Sequence, residues 1–564
     1  MKARKLQLSD FARDEKFNVV AGEYGIIRPM RPIATDTHDF PSLRRDGKIY
    51  VDKTMFIHRL VADNDTRLFF MSRPRRFGKS LTVSALKALF SARRELFRGL
   101  YIDKTDWKWE KYPIIHFEFN DLSVMSIEEF EKNLANHVEE KLLEAGFSYD
   151  RTRSAHENFG NAITSLSDAN GGKGVVILID EYDAPVGHCL DDIQKAEAMR
   201  DRLSAVYSQM KNRTGDIKFL FMTGVSKFTK LSVFSALNNL VDVSQRKEYA
   251  TMFGYTEEEL AANFAEHLRV HAEKMGRSYE DYRAEMKRWY NGFRFSPDDA
   301  TTVYNPISVA LTLDAKSPSG FKATWTTTGR PSMLMNYLKR EDVLRIDPER
   351  MRGVADSEFD VAELRYLRPV AMLYQSGYLT IRDYDPLTES YTLGVPDEEV
   401  RRDLCTLMAG VAADKDMQWA ASLGKKLPTG CWDDFFDGLQ SLYAAMAYGP
   451  TERRVHENSY GRCLSFLLAS QGFRFTMESV QSNGRADVIA EHPAMVCIFE
   501  LKVDEPVDKA FGQIREKKYA EPYLADGRPI WLIGLSFDSK TRHLVDFAAV
   551  RYCDAEKHQQ PKQG

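Results

Sequence analysis

The sequence predicts an α/β protein: a parallel sheet with helices on both faces, then an α-rich middle region, then a smaller C-terminal α/β domain. Four apolar, β-leaning runs carry the first part, Arg67 to Ser72, Tyr112 to Phe119, Gly174 to Asp180 and Ile217 to Thr223, each bounded by turn or charge signals. Helical patterns of ten or more residues separate them, among them SIEEFEKNLANHVEEKLLEAG and DIQKAEAMRDRLSAVYSQMKN. Strands that alternate with helices, each strand apolar along its whole length, build a parallel sheet covered on both faces. A change of rhythm near the C-terminus carries the last part. There a helix, three strands, a helix and a strand follow one another, with one strand more.

With 564 residues the chain is too long for one ordinary core, so several domains are expected. A hydrophobic fraction of 43% beside 28% charged residues is that of a globular protein, and no stretch approaches the roughly 20 apolar residues of a membrane span. No membrane partner is expected. The start, MKARKLQLSDFARDEKF, lacks an apolar core, so no secretory signal is read and the cytoplasm is the expected compartment. Six singly scattered cysteines argue against a disulfide framework and a zinc site. The net charge of -4 steers the protein neither toward nor away from nucleic acid.

In chain order, residues 1–66 read as an irregular lead-in containing one amphipathic piece, YVDKTMFIHRLV. The first strand then runs into LFFMSRPRRFGKSLTVSALKALF. Gly78, Lys79 and Ser80 open a helix after a strand, the setting in which backbone N–H groups surround phosphates, a lysine reaches the terminal ones and a hydroxyl binds Mg²⁺. The glycine expected five residues before Gly78 is Arg73, which leaves a basic turn as the competing reading. Residues 67–104 hold ten basic residues against two acidic ones, and Arg73, Arg75 and Arg76 are secondary candidates for phosphate contacts.

A phosphate loop needs a second half, an apolar strand ending in a carboxylate for the metal shell and another that polarises water. VVILIDEYDAP supplies Asp180 and Glu181, which are expected beside the loop from an adjacent strand tip. Thr223 ends the next strand, where a polar residue can sense the terminal phosphate, with Ser226 and Lys227 just beyond.

From Thr256 the pattern turns helical, with Glu259 at the capping-box position. His267 and His271 stand one helical turn apart, a metal-ligand spacing for which no third ligand is implied. A hairpin is expected in GYLTIRDYDPLTESYTLGVP. In the last domain, NGRADVIAEHPAMVCIFELKV carries Asp487, Glu500 and Lys502; strand alternation sets Glu500 and Lys502 on one face, and a neighbouring strand can place Asp487 beside them. Two carboxylates suit Mg²⁺ and the lysine can position a water toward a phosphodiester, with Gln513 on the following helix as a further contributor. Glu457 and Glu478 are weaker acidic candidates. Residues 451–555 carry fourteen basic and fifteen acidic residues, so this domain shows no strong positive footprint for DNA.

Taken together, YVDKTMFI, LFFMSRPRRFGKSLTVSALKALF, LFRGLYI, VVILIDEYDAPV, FMTGVSKFTKLSVFSALNNLVDVS, FGYTEEEL, WYNGFRF, YNPISV and LYQSGYLTI resemble the AAA-ATPase-like family of bacterial P-loop proteins, whose C-terminal region is similar to PD-(D/E)XK nucleases. The resemblance spans residues 40–340 in the ATPase part and continues to the end. It makes Arg73 a family feature and implies nucleotide binding at Arg76, Phe77, Gly78, Lys79, Ser80 and Leu81, with Thr223 at the phosphate end. It also implies Mg²⁺ at Ser80 and Asp180, catalysis by Glu181, and a nuclease centre of Asp487, Glu500, Lys502 and Gln513 with Mg²⁺ at the two carboxylates. The family's Pro-Asp is Ala486-Asp487 here.

The expected organisation is a P-loop ATPase-like domain at 1–253, a mainly helical region at 254–448, a nuclease-like domain at 449–555 and a disordered tail at 556–564. ATP and Mg²⁺ are the expected cofactors and DNA the expected nucleic acid, with an oligomer left open. The expected activity is ATP hydrolysis coupled to a Mg²⁺-dependent nuclease-like module. The rival is a nucleotide-switched protein that binds DNA or protein without cutting.

Overall fold

The computed structural model describes residues 30–552 except 36, 64, 121, 123–124, 191, 228–238, 315–319, 326–333, 335–337, 339–350, 360–363, 365–367, 414–416, 425–431, 448–456, 482–483 and 542, together with the strand pairing of 19–20 with 28–29. The chain forms two compact units: Met1–Lys322 with Pro348–Asp397, and Ala323–Asp347 with Glu398–Gly564. The sequence-defined middle region is shared between them, and the tail at 556–564 lies outside the described residues.

In unit 1, helix α1 (Thr54–Val61) precedes strand β1 (Leu68–Ser72), and helix α2 (Lys79–Phe90) follows it. Then come β2 (Ile114–Glu118), α3 (Ile127–Glu144), α4 (Ala155–Ala169), β3 (Val175–Asp180), α5 (Ile193–Tyr207), β4 (Ile217–Gly224) and β5 (Val241–Asp242). The five strands form one parallel sheet in the order β2-β3-β4-β1-β5. Every residue of β1 and β3 is buried, as expected for a sheet covered on both faces. Helix α2 buries Val83, Leu86, Leu89 and Phe90, each contributing roughly 1.5–3 kcal/mol of burial. Ser126 and Ser154 fix the starts of α3 and α4 by accepting from the backbone N–H groups of Glu129 and Glu157.

The order corrects one expectation. β1 and β3 are not neighbours, because β4 pairs with both. The pairing of Leu68 with Leu220 and of Ile177 with Leu220 sets β4 squarely between them.

Beyond the sheet, α6 (Glu257–Lys274) starts on the expected capping box of Thr256 and Glu259. It is followed by α7 (Tyr279–Tyr290), the short pair β6 (Asn291–Phe293) and β7 (Val303–Tyr304), and α8 (Pro306–Leu313). Ile49 and Val51 of the lead-in join Leu260, Phe264, Tyr282 and Val309 in one core, so the lead-in is an integral part of unit 1. A three-stranded antiparallel sheet follows, β8 (Met351–Ala355), α9 (Pro369–Gln375), β9 (Thr380–Asp385) and β10 (Ser390–Gly394), in which β9 and β10 are the expected hairpin.

Unit 2 contains α10 (Glu398–Ala413), α11 (Met417–Gly424), α12 (Trp432–Ala447), α13 (Glu457–Ser470), β11 (Arg474–Gln481), β12 (Gly484–His492), β13 (Met495–Val503), α14 (Val507–Glu516), β14 (Ile530–Phe537) and β15 (Leu544–Arg551). The five strands lie in sequence order, antiparallel except for the parallel pair β13/β14, whose crossover is α14. Gly534 lets that helix approach: a Cβ there would stand 2.5 Å from Val507 and 3.2 Å from Ala510.

Arg73 explains why a glycine is dispensable at the start of the β1–α2 loop. It turns inward, only 3% exposed, and its guanidinium donates to the carbonyls of Ser72 (2.9 Å) and Ser244 (2.5 Å) while lying 4.2 Å from the centre of the Phe295 ring. Burial lowers its pKa to about 10, which leaves it charged at neutral pH. Arg73 is therefore an anchor rather than a phosphate contact. Arg73→Met is expected to destabilise unit 1 by about 2–4 kcal/mol in urea unfolding, since two buried carbonyls and an aromatic face lose their cation. A change within about 0.5 kcal/mol would contradict that role.

Candidate active sites

The first site lies at the C-terminal ends of the parallel strands of unit 1, where open α/β sheets place their ligands. Between β1 and α2 the chain passes through two left-handed residues, Arg76 (φ 65°) and Gly78 (φ 96°). Nothing lies within 4 Å of a Cβ at Gly78, so the need for glycine there is conformational. Phe77, 1% exposed, packs edge-on against Phe293 and Phe295 at 4.8 and 5.2 Å and pins the loop from below.

Lys79 is buried, and its ammonium donates to the carbonyls of Arg73 and Pro74, both at 3.1 Å. Burial depresses its pKa, opposed by the charges of Glu181, Asp180 and Asp183. Ser80 hydrogen-bonds the Asp180 carboxylate, which burial shifts upward while that bond and the Lys79 charge pull it down. Glu181 is likewise raised by burial and lowered by Lys79. The structure thus brings Gly78, Lys79, Ser80, Asp180 and Glu181 together, with the loop and the carboxylates reaching across the intervening tip of β4. The half-buried Ser80 hydroxyl and the buried Asp180 carboxylate form a pair of hard oxygen donors, a set that fits Mg²⁺.

Glu181 adopts φ 50°, a left-handed conformation uncommon for a non-glycine residue. The turn is held from behind: the Tyr182 N–H donates to the Thr223 carbonyl (3.1 Å), and the Tyr207 hydroxyl to the Tyr182 carbonyl (3.2 Å). Asp183 accepts from the N–H groups of Val225 (3.2 Å) and Ser226 (2.7 Å) and from the Ser226 hydroxyl. Sequence reading passed over Asp183, although its place three residues after Asp180 in DEYD was the available signal. Thr223 is fully buried and its hydroxyl donates to the Met71 carbonyl at 2.7 Å, so it ties β4 to β1. Lys227 pairs with Asp242 at 3.2 Å. Leu81 and Arg76 line a cavity on the flank of the loop.

The second site lies in unit 2. The β12/β13 register pairs Val488 with Phe499 and so sets Asp487 beside Glu500 and Leu501; the Asp487 carboxylate accepts from the Leu501 N–H at 2.7 Å. Lys502 donates to Glu500 and to the side-chain carbonyl of Gln513, both at 2.8 Å. The structure therefore gathers Asp487, Glu500, Lys502 and Gln513 on one end of β13. Glu500 is 1% exposed and its Oε2 is a buried oxygen with no hydrogen-bond partner. That orphaned oxygen, with Asp487 adjacent, fits Mg²⁺, which takes one or two carboxylates and completes its shell with waters and substrate phosphate. The side chains of Glu457 and Glu478 lie outside the described residues.

The histidine pair on α6 does not gather ligands. His267 and His271 are buried, with Nε2 at 3.0 Å from the Arg31 carbonyl and 3.2 Å from the Leu313 carbonyl. Among the described residues no group of three or more His, Cys, Asp or Glu side chains stands ready for a metal, and no helix is long and apolar enough to cross a membrane.

Comparison with known proteins places two matches on these sites. Residues 32–234 match the family described as predicted AAA-ATPase, and residues 455–547 match the PD-(D/E)XK nuclease superfamily. The chain is 31% identical over 535 residues to an uncharacterized protein in the vnfD 5' region of Azotobacter chroococcum mcd 1, an alignment covering 92% of this chain and 98% of that protein. No solved structure matches.

Burial, the largest influence, and the neighbouring Asp487 push Glu500 up to about 7 against the attraction of Lys502. The folded chain therefore keeps a proton that the unfolded chain releases near pH 4.5. This group's stabilisation is complete below that pH and is lost as pH rises through about 7. Between pH 5 and 8, Glu500 is expected to lower the unfolding free energy of unit 2 by on the order of 2 kcal/mol, and Glu500→Gln to remove that part of the slope. Denaturant titrations with the same pH slope in both proteins would contradict it.

Proposed function

This chain belongs to the AAA-ATPase-like family and carries a PD-(D/E)XK nuclease superfamily domain at its C-terminal end, and on that premise we propose that it hydrolyses ATP in unit 1 and cleaves DNA in unit 2. The observation that carries the first half is the convergence of Lys79 and Ser80 with Asp180 and Glu181. In this reading Lys79 leaves the carbonyls of Arg73 and Pro74 for the β- and γ-phosphates, and the amides around Gly78 cradle the same groups. Ser80 and Asp180 hold Mg²⁺, and Glu181, held close to the phosphate end by its strained turn, accepts a proton from the attacking water. Bound Mg²⁺ supplies charge neutralisation at the phosphates.

In unit 2, Asp487 and Glu500 hold Mg²⁺ and Lys502, steadied by Gln513, orients a water toward the scissile phosphate. The buried, partnerless Oε2 of Glu500 supports this reading, because an uncompensated oxygen there costs stability unless a ligand uses it. A second reading is favoured by the near balance of acidic and basic residues in 451–555: a nucleotide-switched protein that binds DNA or a protein without cutting.

The experiment is paired. Lys79→Ala is expected to lose Mg²⁺-ATP binding by about 100-fold or more, and Glu181→Gln to bind ATP yet hydrolyse it about 10²–10⁴-fold more slowly. ATP binding that is indifferent to Lys79→Ala would reject the ATPase assignment. With Mg²⁺ and ATP, wild type is expected to release fragments from single- or double-stranded DNA and Lys502→Ala not to. ATP turnover without fragments from any DNA or RNA would favour the second reading.

A further inference from the structure

Where the tips of β1, β4 and β5 meet α9 and the start of β9, unit 1 holds a small polar cavity of about 30 Å³. We propose that this cavity binds one small monovalent anion, chloride being the abundant one, and that the ion balances the buried charge of Arg73. The proposal is independent of the ATPase and nuclease readings.

The walls carry unbalanced positive charge. Arg73, Lys227 and Arg294 line the cavity, and among the described residues no carboxylate does. Lys227 is answered by Asp242 at 3.2 Å. The two arginines are answered by carbonyl oxygens: Arg73 by those of Ser72, Ser244 and Tyr249, and Arg294 by those of Ser296, Pro297, Asp299 and Arg382. Carbonyls offer dipoles and no net charge, so two guanidiniums stand over, and that of Arg73 is only 3% exposed. A charge withdrawn from water without an opposite one is costly, and an anion beside it removes that cost.

Two donors are left over at the same place. The Arg73 Nε and the Gln245 Nε2 are buried nitrogens with no hydrogen-bond partner, and both residues line the cavity. Each calls for an acceptor. A water accepts a hydrogen bond but leaves the excess charge as it is, whereas an anion answers both needs. Size narrows the choice. One water needs about 10–15 Å³, so the cavity admits one or two particles of that size and has no room for phosphate, sulfate or a carboxylate metabolite. The Phe295 ring, 4.2 Å from the Arg73 guanidinium, adds an apolar wall that screens the charge poorly. Arg73 and Pro74 also line the cavity, and their carbonyls hold Lys79, so the ion steadies the segment from which the β1–α2 loop starts.

Hydrogen exchange on the full chain, read by mass spectrometry while chloride replaces gluconate at constant pH and ionic strength, tests the proposal, since gluconate is too large for the cavity. In wild type the protection of the β1 amides is expected to rise with chloride, approaching about tenfold per tenfold increase in the ion as the site saturates, while that of β13 in unit 2 stays unchanged. Gln245→Leu removes one donor and is expected to move this response to about tenfold higher chloride. Gln245→Glu, at a half-exposed position, brings a carboxylate to the wall; it is expected to show the chloride-saturated protection already in gluconate and no response to chloride. Equal β1 protection of wild type in chloride and gluconate overturns the proposal and leaves water as the partner of Arg73. A chloride response that persists unchanged in Gln245→Glu also overturns it, because the ion then binds elsewhere.

Discussion

The fold of unit 1 is organised around one electrostatic constraint: a buried ammonium, Lys79, held opposite an acidic couplet, the buried Asp180 and the half-buried Glu181. Neither side is tolerable alone, because removing one partner of a buried charge pair leaves the other uncompensated. Burial pushes both toward neutrality while their mutual attraction resists it. The arrangement is accordingly sensitive to any charge that enters, which is the property a phosphate-binding site needs. The two loop carbonyls that now hold Lys79 are weak partners, and a polyphosphate can displace them.

Everything nearby keeps that constraint in place. Arg73 turns inward to fasten the start of the loop, Phe77 wedges against Phe293 and Phe295, and Gly78 supplies the backbone conformation from which α2 begins. On the opposite side Tyr182 and Asp183 bind the turn after β3 to the end of β4 and the residues that follow it. Unit 2 solves a related problem differently. There the lysine bonds the carboxylate directly, and Gln513 shares the ammonium, so one oxygen of Glu500 is left over.

Much of this was legible in the residues. The apolar runs ending at Ser72 and Asp180 marked their strands because a doubly covered sheet leaves no polar face to blur them. Strand alternation alone put Glu500 and Lys502 on one face, whereas Asp487 joins them only through the register of β12 against β13. What the chain does not write locally is which strands are neighbours: β4 stands between β1 and β3, and the carboxylates meet the loop across it. The direction of Arg73 was equally hidden, since its partners Ser244 and Phe295 lie about 170 and 220 positions away and only tertiary packing brings them near. The lead-in looked irregular because its apolar residues, Ile49 and Val51, find their core against α6, α7 and α8 rather than within a regular element.

A double-mutant cycle on Lys79→Met and Glu181→Gln, read as unfolding free energy near pH 8 without nucleotide, tests the central constraint most directly. If the two charges face each other in the folded chain, the single changes will be non-additive by more than about 1 kcal/mol. Additivity within about 0.3–0.5 kcal/mol would mean that they do not meet, and the account of the site would fall.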